Sequence, residues 1–188
     1  MRLFLLCFLW VSFMYPQKKT SYEPEFVGDM VLKDSAKYIP LEKQRATART
    51  KISASTYIVG VGSAKARNYV NKGTSPVRIT QRKELILIVN AGVNERNPLD
   101  IIHIFKLEAK RKKRFVELAK ATTFSGGSAG EDIQFIPFTG KQQGKKSYQI
   151  TIEYLIPGEY AVTIAGSRDM FNMFGVDPPK FGKPSKNN

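Results

Sequence analysis

Polar and apolar residues alternate without exception across residues 147–154 (SYQITIEY), which puts Tyr148, Ile150, Ile152 and Tyr154 on one face of a β-strand. After Pro157 and Gly158 the period resumes, with Tyr160, Val162 and Ile164 set against Glu159, Ala161 and Thr163. A second strand is therefore expected after a short turn, antiparallel to the first and paired with it. The run LILIV at residues 85–89 is apolar throughout, the pattern of a central strand buried on both faces. Residues 101–110 and 115–122 flank a basic turn and read as a long hairpin. Residues 132–138 (DIQFIPF) read as a short strand ended by Pro137, and residues 171–176 as the last strand.

These segments give residues 83–177 seven strand candidates. Residues 26–33, 38–41, 51–61 and 77–80 supply four more, separated by Asp34-Ser35, the stretch around Ala46 and a loop over residues 62–73. The glycine-rich stretch 124–130 reads as a loop. No segment holds a 3.6-residue apolar period, so the expected class is all-β. Seven short strands with turns between them predict an immunoglobulin-like antiparallel β-sandwich over residues 83–177. Residues 22–82 are either a small N-terminal β subdomain or added strands on the same sandwich. Residues 178–188, rich in Pro, Lys and Asn, form a flexible basic tail with nothing to bury.

The first 17 residues stand apart. Arg2 is followed by an apolar run broken only by Ser12, with no further charge until Lys18. About 13 apolar residues at about 1.5 Å rise cover about 20 Å, short of the roughly 30 Å core of a bilayer. A signal segment for export is the expected reading, with the mature protein periplasmic, cell-envelope or extracellular. No small-x-small pair precedes Pro16-Gln17, so an uncleaved anchor stays open. Cys7 lies in this run, which leaves the mature chain without a thiol and without a transmembrane span.

Composition narrows the chemistry. The 188 residues suffice for one domain or two small ones, and 42% hydrophobic with 11% aromatic content calls for a packed core. One Cys rules out a disulfide framework, and one His removes the usual ligands and general bases of metal and hydrolytic sites. His103 shares a face with Ile101, Phe105 and Leu107 and reads as a hydrogen-bonded core residue. Gly60 and Gly62 lack the remainder of a phosphate-binding loop and read as a turn. Neither Glu131 with Asp132 nor Glu153 with Glu159 has a spacing that singles out a catalytic carboxylate pair. No metal, cofactor or catalytic residue is expected.

Two resemblances bear on the fold. Leu155, Pro157, Gly158 and Tyr160 stand as L-x-P-G-x-Y, which resembles the turn entering the penultimate strand of fibronectin-like and carboxypeptidase-regulatory-like sandwiches. Its physical sense is a tight turn followed by a tyrosine that buries its ring and bonds its hydroxyl to the turn backbone. The stretches EFVGDMV (25–31), IPLEKQ (39–44), SPVRI (75–79) and FGVD (174–177) resemble a set of uncharacterised small exported β-sandwich proteins of Gram-negative bacteria. That likeness implies an address and a fold, and carries no site residues.

Charge carries the functional expectation. Lys and Arg number 30 against 16 Asp and Glu, a net charge of +14. Between positions 43 and 83 there are ten basic residues and no acid; positions 106–120 hold seven basic residues and two acids. Such density on one surface attracts polyanions. The candidate binding residues are Lys43, Arg45, Arg49, Lys51, Lys65, Arg67, Lys72 and Arg78, with Lys110, Arg111, Lys112, Lys113 and Arg114 in the second window. The expected partner of an exported chain is an acidic glycan, a lipid headgroup or an acidic protein. Nucleic acid is disfavoured by the address and by the scarcity of aromatic rings among the cations. The leading expectation is a non-enzymatic binding protein. The alternatives are an assembly subunit of a cell-envelope complex that pairs strand edges, and a small hydrolase.

Overall fold

A computed structural model describes residues 21–52, 63–122, 130–131, 133–167 and 169–179. In the N-terminal part lie β1 (Met30–Asp34), β2 (Lys37–Pro40), β3 (Glu42–Arg45), β4 (Thr47–Ile52), β5 (Ser63–Asn71) and β6 (Arg78–Thr80). Beyond them come β7 (Glu84–Asn90), the one-turn helix α1 (Pro98–Ile101), β8 (Ile102–Lys110), β9 (Lys113–Thr122) and β10 (Gly130–Glu131). The chain continues through β11 (Thr139–Gln143), β12 (Ser147–Glu153), β13 (Gly158–Ile164) and β14 (Met170–Asp177). The fold is all-β and its sheets are antiparallel, apart from the short parallel pair β6 and β14. Among the described residues no helix is long and apolar enough to cross a membrane.

One sheet has the strand order β11-β12-β7-β1-β2, and the other runs β3-β14-β13-β8-β9-β5-β4. Period-two alternation aims Leu32, Leu87 and Ile150 of the first sheet at Ile104, Val162 and Phe174 of the second. Each of these six side chains is fully buried, and together they form the middle of the main core. This is the packing of a sandwich.

The turn after β12 corrects one expectation. β12 and β13 do not pair: β12 lies between β11 and β7, β13 between β8 and β14. Both strands need to bury an apolar face, and the chain carries them to opposite sides of the core, where those faces meet. Tyr154, expected on the buried face, has left the strand with φ 51° and is exposed. At the corner the Tyr160 ring stacks on Phe174 with centroids 5.6 Å apart, and its hydroxyl donates to the Ile156 carbonyl at 2.7 Å. Burial of that hydroxyl pushes its pKa up.

The second sheet closes on itself. Its two end strands, β3 and β4, are halves of one chain run separated only by Ala46, and β3 pairs with β14 while β4 pairs with β5. Counting that run as one strand, six strands surround a second core of Val70, Phe105, Leu107, Val116, Phe171 and Met173. This barrel presses one wall, β8-β13-β14, against the first sheet, so those strands are buried on both faces. Residues 62–73 were expected to loop; Ser63–Asn71 is instead a nine-residue strand at the barrel's outer side. The 101–122 hairpin forms, but β8 and β9 pair only from Glu108 to Lys110 and then part. Residues 133–138 fill the gap as a crossing segment, not the strand expected, bonding β8 through the Phe105–Phe135 bridge and Ile136 N–H to Ile104 C=O at 2.7 Å.

Candidate functional site

The barrel interior is graded along its axis. At one end Arg114, whose side chain is 0% exposed, donates to Glu42 at 2.9 Å and to Glu159 at 3.3 Å. Its Nε reaches the Lys72 carbonyl at 3.1 Å. Glu159 also accepts from Arg78 at 2.6 Å and from the Ser75 backbone N–H at 2.8 Å. Arg78 in turn bonds Asp177, and these carboxylates raise its pKa above its already high ordinary value, against the opposing effect of burial. The guanidinium lies over Gly175, where any Cβ would collide with it. This chain of five charges ties β3, β6, β9, β13 and β14 together, with the β5–β6 connection held through the backbone of Lys72 and Ser75, and it is an internal support.

The outer face of the barrel holds a different arrangement. Cross-strand register places Arg49 beside Arg67, Lys51 beside Lys65, Tyr69 beside Phe115 and Lys110 beside Lys113. Arg111 and Lys112 make the two-residue turn between β8 and β9, with Arg111 at φ 54° where glycine would be less strained. The turn abuts Gly73, which has no room for a Cβ against the Arg111 carbonyl. A groove of about 650 Å³ results, lined by Lys51, Arg67, Tyr69, Lys110, Arg111, Lys112, Lys113 and Phe115. Among the described residues, six of the eight that line it are cationic and none is acidic. The Arg67 guanidinium sits 4.5 Å above the Phe115 ring, and Tyr69 lies 5.5 Å from the same ring.

Glu117 borders the groove and sets part of its charge. It accepts from Arg67 at 2.6 Å and lies 3.2 Å from Lys65. Burial alone would raise its pKa, but the bonds from Arg67 and Lys65 outweigh that and hold the carboxyl below its ordinary range. Burial would lower the pKa of Arg67, but the same bond to Glu117, with one that Arg67 donates to Tyr69, raises it. Because the folded-state pKa of Glu117 is depressed, its stabilising contribution is complete above the ordinary carboxylate range and is lost as pH falls through the lowered value. Glu23, lowered chiefly by the Lys146 backbone N–H against a smaller cost of burial, adds in the same direction. Glu117→Gln is expected to shrink the acid limb of the stability curve. It should also tighten binding of a sulfated oligosaccharide roughly two- to fivefold at low salt, because two cations lose their partner. Denaturant titrations across pH and fluorescence anisotropy measure the two effects.

The thirteen cations expected to form one surface are divided. Lys51, Arg67, Lys110, Arg111, Lys112 and Lys113 share the groove, and Arg49 stands beside them on β4. Lys65 is on the same face, and both it and Arg67 are bound to Glu117. Lys43 pairs with Asp29 at 2.8 Å and Arg45 with Asp169 at 3.3 Å, both away from the groove. Lys72 is exposed in the turn after β5. Arg78 is committed to Glu159 and Asp177. Arg114 corrects the expectation outright: a candidate binding residue in the second basic window, it instead points its side chain into the barrel with Val116, on the opposite face from Phe115.

Other sequence candidates are also relocated. His103 faces the barrel with Phe105 and Leu107, while Ile101 belongs to α1 and the main core. Glu159 is half of a buried ion pair, and Glu153 is exposed. Gly60 and Gly62, Asp132, residues 1–17 and residues 180–188 fall outside the described residues. The sequence reading missed Tyr69 and Phe115 as part of the groove; the signal available was their position between cations in R-N-Y and R-F. No protein-family model and no curated protein matches the chain.

Proposed function

We infer that this is an exported, non-enzymatic binding protein that grips an acidic glycan in the groove between β4, β5 and the β8–β9 turn. The observation that carries the reading is the convergence of two separate basic stretches of sequence on one concavity whose lining, among the described residues, includes six cations, two aromatic rings and no carboxylate. Fixed cations supply attraction and approach rate, while a shaped groove supplies selectivity. A concave channel with a tyrosine in its lining suits a flexible chain of sugar rings better than the plane of bilayer headgroups. The strained, non-glycine turn at Arg111 fits a position kept for its side chain.

The frame is read as an immunoglobulin-like sandwich with added strands. Supporting it are the orders β1-β7-β12-β11 and β8-β13-β14, which follow the two sheets of constant-type domains, and the tyrosine corner at Tyr160. On that reading residues 1–17 are an export segment and the likeness to small exported proteins of Gram-negative bacteria is one of descent. Assembly by strand addition is the second reading. It is favoured by β4, which has a described pairing partner on one side only, and opposed by Arg49 and Lys51, charges of the kind that blunt free edges.

Backbone amide mapping by NMR tests the site. On addition of a heparin-derived octasaccharide, signals of Lys51, Tyr69 and residues 110–113 should move together and saturate, and those of Lys43, Arg45 and Arg78 should not. Shifts centred on β3, or a uniform response over all basic residues, would remove the groove from the account.

A further inference from the structure

At the barrel end opposite the buried ion pairs lies a cavity of about 330 Å³, between β5, β8, β9, β13, β14 and the crossing segment 133–138. Its walls are apolar, built from Phe105, Phe171, Val116, Leu118 and Ile133, with the Phe105 and Phe171 rings edge to face at 5.3 Å. Three polar side chains converge on it. His103 and Thr163 are directly opposed in the β8–β13 register, and Asn68 reaches in from β5. Among the described residues none of the three has a side-chain hydrogen-bond partner. Phe135 stands at the rim, 49% exposed, with its ring 5.2 Å from the His103 imidazole.

We propose that this cavity binds a compact aromatic molecule carrying one neutral hydrogen-bonding group, of the phenol class. Its size falls at the lower end of ordinary small-molecule sites, and apolar walls with a few converging polar groups are the usual makeup of such sites. Aromatic walls favour a ring that packs edge to face against them. Among the described residues the lining holds no Lys, Arg, Asp or Glu, so a charged head group would lose hydration without gaining a counter-charge from them, and a neutral one is selected. Donor and acceptor groups on His103, Asn68 and Thr163 meet a hydroxyl in either sense. A bound ring also covers Phe135, whose exposure is otherwise costly. This site is independent of the glycan groove: Asn68 and Val116 face inward from the same strands whose Arg67 and Phe115 face outward.

The test uses the full chain with p-cresol as probe and toluene as its apolar counterpart, followed by amide and side-chain NMR. Saturable p-cresol binding is expected, with shifts at Asn68, His103, Phe135 and Thr163. Leu118→Trp, which fills the cavity, should abolish those shifts while leaving octasaccharide binding intact. Thr163→Val, nearly isosteric, should weaken p-cresol roughly three- to tenfold and leave toluene unchanged, the loss of one neutral hydrogen bond. If Leu118→Trp fails to fold, the Thr163→Val comparison decides alone. Absence of saturable p-cresol binding, undiminished binding in folded Leu118→Trp, or equal p-cresol affinity in Thr163→Val and the native protein overturns the proposal.

Discussion

Arg114→Met lowers the stability of the fold by about 3–5 kcal/mol, because it leaves Glu42 buried at one end of the barrel without a counter-charge and Glu159 with Arg78 alone. For a domain of this size that is a fall in Tm of roughly 6–20 °C. The size of the effect follows from burial: the Arg114 side chain is 0% exposed and both carboxylates are nearly so, where water cannot replace the lost partner. Methionine fills similar volume, so the loss reports charge more than cavity. Glu42→Gln in the Arg114→Met background should recover part of it, since the carboxylate left without a cation is then neutral. A double-mutant cycle by urea denaturation measures that coupling, expected at about 1–3 kcal/mol. A loss under about 1 kcal/mol for Arg114→Met would mean that the network does not hold the barrel shut.

The second large effect concerns binding. Replacing Lys110, Arg111, Lys112 and Lys113 by Gln should weaken a heparin-derived octasaccharide by about two to three orders of magnitude at low salt, at about 0.7–1 kcal/mol for each cation beside a polyanion. Stability should move by no more than about 0.5 kcal/mol, because these side chains are exposed and the described residues give them no ion pair to lose. Neutralising Lys43 and Arg45 instead, an equally basic pair in the sequence, should change binding little. Their charge is already countered by Asp29 and Asp169. The contrast separates a built groove from general attraction to a basic protein.

How far the sequence reveals this molecule depends on which side chains face the barrel. β12 and β13 announce themselves through Tyr148, Ile150, Ile152, Tyr160 and Val162, large apolar residues at strict spacing on the main core. β5 is nearly silent, because Val70 is the one branched apolar residue among its inward positions, while Ala66 and Asn68 are small or polar and leave the alternation little contrast to show. β11 is silent too: TGKQQ is an edge strand with no apolar residue to bury. The inward series Arg114, Val116, Leu118 does alternate with Phe115 and Glu117. Reading it correctly requires knowing that an arginine faces inward, and its partners stand 72 and 45 residues away in the chain. Closure of the second sheet through the continuous β3–β4 run is a property of three-dimensional register, so no local pattern reports it. The groove was half legible: both basic stretches stood out, while their division into free, paired and buried cations was decided by distant acids.

Octasaccharide affinity measured against salt concentration, for the native protein and the four-glutamine variant in one series, tests the central claim most directly. The native slope should be steep, the variant slope smaller by up to about four, and the two lines should converge as salt rises. Parallel lines, or a native affinity indifferent to salt, would contradict the groove as the place where this protein meets a polyanion.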